Sequence, residues 1–279
     1  MIWRCRDRTF DLSARTLVMG VVNVTPDSFS DGGRFLDPAA ALAHARALIE
    51  EGADVLDVGA ESTRPGAGPV PPAEQWRRLE PVLSALAAAG DACLSVDTTS
   101  AEVADRALAA GAHVINDVSA LRDTAMAGVI AARGAGVVLM HLPGTPSTMQ
   151  RDPRYEDAVR EIAAYLGERR AHAVRSGIAP ECIVLDPGIG FGKTLEHNLE
   201  LLARLGEFAA LGRPVLVGAS RKSFLGRILD LPAEQRLEAG IAAHAIAVFE
   251  GAAVVRTHDV GATVRAVRVA RALAGAKRS

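Results

Sequence analysis

The chain has 279 residues, 49% hydrophobic and 23% charged, with 31 basic against 33 acidic side chains and a formal net charge of -2. That profile excludes a disordered, collagen-like or disulfide-scaffold polypeptide and fits a globular α/β protein of one large domain or two small ones. The even charge balance leaves no footprint for a nucleic-acid or membrane partner, so neither is expected, and any bound anion must be held by local groups.

Cys5, Cys93 and Cys182 stand far apart with no C-x-x-C pair, which argues against a disulfide framework or structural zinc and for a reducing, cytoplasmic location. The first ten residues carry basic groups but no following apolar core of the kind a signal peptide needs. The apolar stretch 239–255 contains His244, Glu250 and Gly251, and reads as a buried helix running into a strand rather than a membrane span.

In chain order, β-rich runs fall at 17–22, 54–58, 92–96, 113–115, 136–140, 182–185, 214–217 and 253–255. Helical periodicity falls between and after them, at 38–51, 73–89, 101–110, 156–176, 195–205, 234–250 and 260–273, with a weaker helix at 124–133. Gly52, Gly111, Gly134 and Gly251 sit where helices hand over to strands, the place of a left-handed C-cap. Continuous apolar runs rather than in/out alternation imply a parallel sheet covered by helices. A (β/α)8 TIM barrel is the simplest closure, with a doubly wound open sheet as the alternative. The expectation is a single domain over 1–279, with the barrel core at about 16–272 and a short N-terminal cap on the barrel floor.

Barrel chemistry belongs at the C-terminal ends of strands. Here those ends deliver Asn23, Glu61, Asp97, Asn116, Asp117, Met140, His141, Asp186, Ser220, Lys222, Arg256 and His258. Asp117, Ser119, Asp123 and Asp259 have the alternative reading of helix caps or turn formers. His44, His113, His172, His197 and His244 lie in helical or strand segments and read as structural. Apolar strands running directly into Asp97, Asn116 and Asp186 imply burial that partners must offset. With Lys222, these groups match the donors and acceptors of a flat, amino-substituted heterocycle. Asn23, Arg64, Arg256 and His258 have the donor character that surrounds phosphate oxygens.

Seven ordered segments carry a family resemblance. They are Met19-Gly-Val-Val-Asn-Val-Thr-Pro-Asp-Ser-Phe-Ser-Asp-Gly-Gly33, Asp57-Val-Gly-Ala-Glu-Ser-Thr-Arg-Pro-Gly66, Ser95-Val-Asp97, Ile115-Asn-Asp117, Leu185-Asp-Pro-Gly-Ile-Gly-Phe-Gly-Lys193, Gly218-Ala-Ser-Arg-Lys-Ser223 and Arg256-Thr-His-Asp-Val260. Together they resemble the dihydropteroate synthase family of pterin-binding TIM barrels. The resemblance implies condensation of 6-hydroxymethyl-7,8-dihydropterin diphosphate with p-aminobenzoate to give 7,8-dihydropteroate and pyrophosphate in folate biosynthesis. It also implies Mg2+, a homodimer and sulfonamide competition at the p-aminobenzoate pocket.

Carried over by motif, Asp97, Asn116, Met140, Asp186, Phe191, Gly218, Lys222 and Arg256 would bind the pterin. Asn23, Thr63, Arg64, Arg256 and His258 would hold the diphosphate, with Asn23 the metal ligand. Phe29, Thr63, Pro65, Phe191, Lys222 and Ser223 would form the p-aminobenzoate pocket. Asn23, Asp97, Lys222, Arg256 and His258 are the expected catalytic set. Thr99-Ser100, Pro143 and Ser147 depart from the family pattern.

Competing readings are weaker. A P-loop needs glycine where Pro187 stands, and Gly188, Gly190 and Gly192 miss the dinucleotide spacing; Lys193 then reads as a solvated charge. A barrel metallohydrolase needs a His-x-His pair that the seven histidines do not provide. The remaining alternatives are a methyltetrahydrofolate-binding methyltransferase barrel and a catalytically silent pterin-binding paralogue.

Overall fold

The computed structural model describes residues 1–25, 38–62 and 68–278. The chain opens with an antiparallel hairpin of β1 (Ile2–Cys5) and β2 (Arg8–Asp11). Each predicted apolar run then becomes a strand: β3 (Leu17–Asn23), β4 (Val55–Gly59), β5 (Cys93–Asp97) and β6 (Val114–Asp117). The last four are β7 (Gly136–Met140), β8 (Ile183–Asp186), β9 (Leu216–Val217) and β10 (Val254–Thr257). The helices are α1 (Pro38–Glu50), α2 (Pro72–Ala89), α3 (Ala101–Ala109), α4 (Met126–Arg133) and α5 (Ala158–Arg175). They continue with α6 (Leu195–Ala203), α7 (Ser223–Leu229), α8 (Leu237–Phe249) and α9 (Val260–Arg278). The short α7 has no counterpart in the sequence reading, because two turns are too brief to show a period.

The eight strands pair in parallel in the order β8-β7-β6-β5-β4-β3-β10-β9, and a bridge between Leu185 and Val215 joins the two ends. This is the predicted (β/α)8 barrel. Gly52, Gly111, Gly134 and Gly251 all take positive φ at the helix-to-strand turns, where a side chain would be strained.

The predicted floor cap is the β1–β2 hairpin. Trp3, Cys5 and Leu12 are buried in a cluster that draws on every barrel strand: Leu17 and Met19, Val55, Cys93, Val114, Val138, Val184, Leu216 and Val254. A Cβ at Gly136 would come within 2.7 Å of Cys5 Sγ, so the hairpin packs directly on the start of β7. With the floor sealed, the polar strand ends are left to the opposite mouth.

Candidate active site

Register places the predicted residues side by side. Asn23 lies opposite Gly59, Gly59 opposite Asp97, and Asp97 opposite Asn116, while Met140 lies opposite Asp186. A Cβ at Gly59 would sit 3.4 Å from that of Asp97, so the small residue leaves the carboxylate room.

Beneath this row lies a residue that the sequence reading quoted but gave no role. Asp57, in the middle of β4, is fully buried. Its Oδ1 accepts from Ser95 Oγ at 2.6 Å, and its Oδ2 accepts from Asn116 Nδ2 at 3.0 Å and Arg256 Nε at 2.7 Å. Arg256 reaches further, donating through Nη2 to Asp97 Oδ2 at 3.2 Å. The guanidinium that the resemblance assigns to the pterin and the diphosphate is therefore bridged between two carboxylates. Burial pushes the Asp97 carboxyl above its usual range, and Asp57 adds to this while Arg256 opposes it. The signal for Asp57 was present in the sequence, since a carboxylate inside an apolar strand needs a partner.

On the other side of the mouth, Asp186 accepts from Gly188 N at 2.7 Å, and burial pushes its carboxyl up to about 6. Lys222 lies with Nζ 3.6 Å from the centroid of the Phe191 ring, a cation–π contact. Burial and the Arg256 charge lower the Lys222 amine to about 7. Phe191 packs in a small apolar cluster with Met140, Val118, Leu142 and Met149, giving a flat heterocycle an apolar surface beside its polar edge.

Lys193 corrects the sequence reading. It is buried rather than solvated, with Nζ 2.8 Å from Phe191 O and 3.1 Å from His141 Nδ1. A lysine buried under a glycine-rich turn looks in sequence like one on its surface.

His258 sits at the same mouth, its backbone N–H donating to Ser220 Oγ at 3.2 Å with Nδ1 3.1 Å from that oxygen. Burial, aided by Arg256, lowers its imidazole to about 3. Gly218 packs beside Arg256, with an added Cβ in ordinary contact at 3.7 Å from that of Arg256, and Ser223 is the exposed first residue of α7. Phe29, Thr63, Arg64 and Pro65 lie outside the described residues.

Of the residues with an alternative reading as caps or turn formers, Asp117, Ser119 and Asp123 make local turn bonds, whereas the Asp259 side chain forms an ion pair instead. Asp117 accepts from Ser119 and Leu121, Asp123 from Ala101 and Ala125, and Asp259 pairs with Arg221 at 2.6 Å. The departures from the family pattern have local roles too. Ser100 caps α3, Pro143 lies against Gly192, and Ser147 joins a hydroxyl cluster with Thr145.

The geometry is that of a barrel enzyme with its polar groups gathered at the C-terminal mouth. The family described as pterin binding enzyme matches residues 19–258. A dihydropteroate synthase of Escherichia coli strain K12 is 46% identical over 260 residues, covering 93% of this chain and 92% of that one. Among solved structures, a Yersinia pestis dihydropteroate synthase with a sulfonamide drug complex has a TM-score of 0.94 at 44% identity, over 99% of this chain and 100% of that one. A Xanthomonas albilineans dihydropteroate synthase in complex with 7,8-dihydropteroate has a TM-score of 0.88 at 43% identity, over 98% of each. The chain belongs to the pterin-binding enzymes and, among them, to the dihydropteroate synthase family.

Proposed function

We propose that the chain joins 6-hydroxymethyl-7,8-dihydropterin diphosphate to p-aminobenzoate, releasing pyrophosphate and forming 7,8-dihydropteroate for folate biosynthesis. The observation that carries this reading is the convergence of Asp97, Asn116, Asp186 and Lys222 on one barrel mouth beside Met140 and Phe191, in a chain of this family. Asp186 and Asp97 would accept from the ring N–H and exocyclic amine, and Asn116 and Lys222 would complete the edge. Arg256 and His258 would face the diphosphate as negative charge gathers on it. The C–O bond to the leaving group breaks first, leaving a methylene cation conjugated with the pterin. The amine nitrogen of p-aminobenzoate then supplies its electron pair and loses a proton. An arylamine is largely unprotonated near neutrality, so no strong general base is required. Phe191, Lys222 and Ser223 would border its pocket, where a sulfonamide would compete.

Among the described residues no group of three or more His, Cys, Asp or Glu side chains is arranged to hold a metal. The neutral amide of Asn23 at the end of β3 suits an ion that takes most of its ligands from phosphate oxygens and water, which is the habit of Mg2+. Asn23 would hold that ion, and when bound it supplies positive charge to the departing diphosphate.

Among the described residues no helix is long and apolar enough to cross a membrane. The three free, buried thiols support a cytoplasmic setting. Exposed Ile228, Leu229, Ile246, Val269 and Leu273 on α7, α8 and α9 support a homodimer through these helices.

The test is to combine purified protein, Mg2+, the pterin diphosphate and p-aminobenzoate and to measure dihydropteroate and pyrophosphate. Product in equal amounts is expected. Pterin binding without product would leave the silent paralogue as the correct reading.

A further inference from the structure

The turn from Asp186 to Lys193 carries both Asp186 and Phe191, and its backbone is held at successive polar atoms. Gly190 N donates to Asn198 Oδ1 at 2.6 Å, Gln150 Nε2 donates to Gly190 O at 3.1 Å, and Tyr155 OH donates to Gly192 O at 3.0 Å. The carbonyl of Phe191 itself is taken by Lys193 Nζ, the one amine in this set. That side chain is 4% exposed and curls back inside its own turn, where a Cβ on Gly188 would come within 3.4 Å of Nζ.

Its other partner is His141, one residue past the end of β7. When protonated, Lys193 has only hydrogens to offer, and His141 Nδ1 then accepts, with the neutral ring carrying its proton on Nε2. Tyr165 packs edge-on against that ring at 4.9 Å. Burial lowers the imidazole to about 3 and the Lys193 amine to about 7, the nearby Asp186 opposing the latter. For stability alone an apolar side chain of the same length would serve as well, because desolvating an amine costs free energy that two hydrogen bonds offset only in part. The arrangement accounts better for geometry than for stability.

We propose that Lys193 is a positioning residue of the reaction: by holding the Phe191 carbonyl from inside the turn, it sets the Phe191 ring against Lys222 and so shapes the surface on which the arylamine lies. This rests on the assignment of Phe191 and Lys222 to the p-aminobenzoate pocket.

The experiment compares the parent with Lys193→Met and Lys193→Arg. It measures KM and kcat for p-aminobenzoate at saturating pterin diphosphate, Kd for the pterin diphosphate by calorimetry, and Tm. Lys193→Met is expected to raise the arylamine KM on the order of tenfold, the usual effect of losing one charge-assisted hydrogen bond, with pterin diphosphate affinity held within about threefold. Lys193→Arg, which keeps the donors, is expected to recover most of that loss. An unchanged arylamine KM in Lys193→Met would overturn the proposal, as would equal losses for both substrates that Lys193→Arg does not recover. Should Lys193→Met fail to fold, Lys193→Gln, which retains a donor, is compared with Lys193→Arg, and equal KM values far above the parent's overturn it. Turnover by the parent separates the two levels. An inactive parent refutes the enzyme reading, whereas an active parent with an indifferent Lys193→Met refutes only the positioning role.

Discussion

Replacing Asp57 by asparagine probes the center of the site without changing its shape. The carboxylate receives three hydrogen bonds, from Ser95, Asn116 and Arg256, at 2.6, 3.0 and 2.7 Å. In Asp57→Asn the new amide nitrogen can turn toward Ser95, whose hydroxyl is able to accept, leaving the amide oxygen for Asn116 and Arg256. The number of bonds survives and the charge does not. Among the described residues Arg256 then keeps only Asp97 as an ionic partner, and losing one charge-assisted bond costs about 1.5–3 kcal/mol, which is on the order of 10- to 100-fold. We expect kcat/KM for the pterin diphosphate to fall by that factor and Tm to drop by about 3–9 °C at roughly 2–3 °C per kcal/mol. Asp57→Ala should be far worse, since it strands donors and a buried cation, at about 3–5 kcal/mol. The assays are dihydropteroate formation and thermal melting. If Asp57→Asn retains kcat/KM within twofold for both substrates, Arg256 is not held in its working position by Asp57.

Two further outcomes follow from the geometry. Burial holds Asp186 at about 6, and only its ionized form presents both oxygens as charged acceptors to the pterin N–H groups, so affinity should be highest near pH 7 and fall as pH drops through about 6. The raised Asp97 acts in the same direction, and calorimetry from about pH 5 to 7 should show Asp186→Asn weak throughout; a flat parent profile would mean that Asp186 is not the acceptor. Trp3→Ala on the barrel floor should cost about 3–5 kcal/mol and lower Tm by about 10 °C while leaving both Michaelis constants unchanged, because the floor faces away from the site. Altered KM values in a folded Trp3→Ala protein would show that floor and mouth are coupled.

Much of this architecture is legible in sequence because parallel strands buried on both faces must be continuously apolar, which makes the first polar residue after each run conspicuous. Asn23, Asp97, Asn116 and Asp186 stand out in that way, and the floor cap follows from what precedes residue 17. Asp57 is harder, because its partners come from positions 38, 59 and 199 residues away, and only closure of the barrel brings them together. Lys193 was misread for a related reason. Its burial depends on His141 and on a turn that folds over the amine, and neither leaves a mark in local composition. Arg256 was expected at the mouth, but its direction depended on the unrecognized Asp57.

The seam of the barrel bears on the order in which the protein assembles. β8 and β9 meet through a single bridge, and the N-terminal hairpin spans that join: Trp3 Nε1 donates to Cys182 O at 3.1 Å, and Arg213 donates to Ile183 O at 3.2 Å and Ile2 O at 3.0 Å. A clasp between residues 2 and 213 cannot engage until about three-quarters of the chain has left the ribosome, and such distant contacts form slowly. Asp186 ends β8 and Lys222 follows β9, the two strands that flank the join. The pterin edge therefore draws on both sides of the seam, and Asp186 and Lys222 are brought together only where that join is closed.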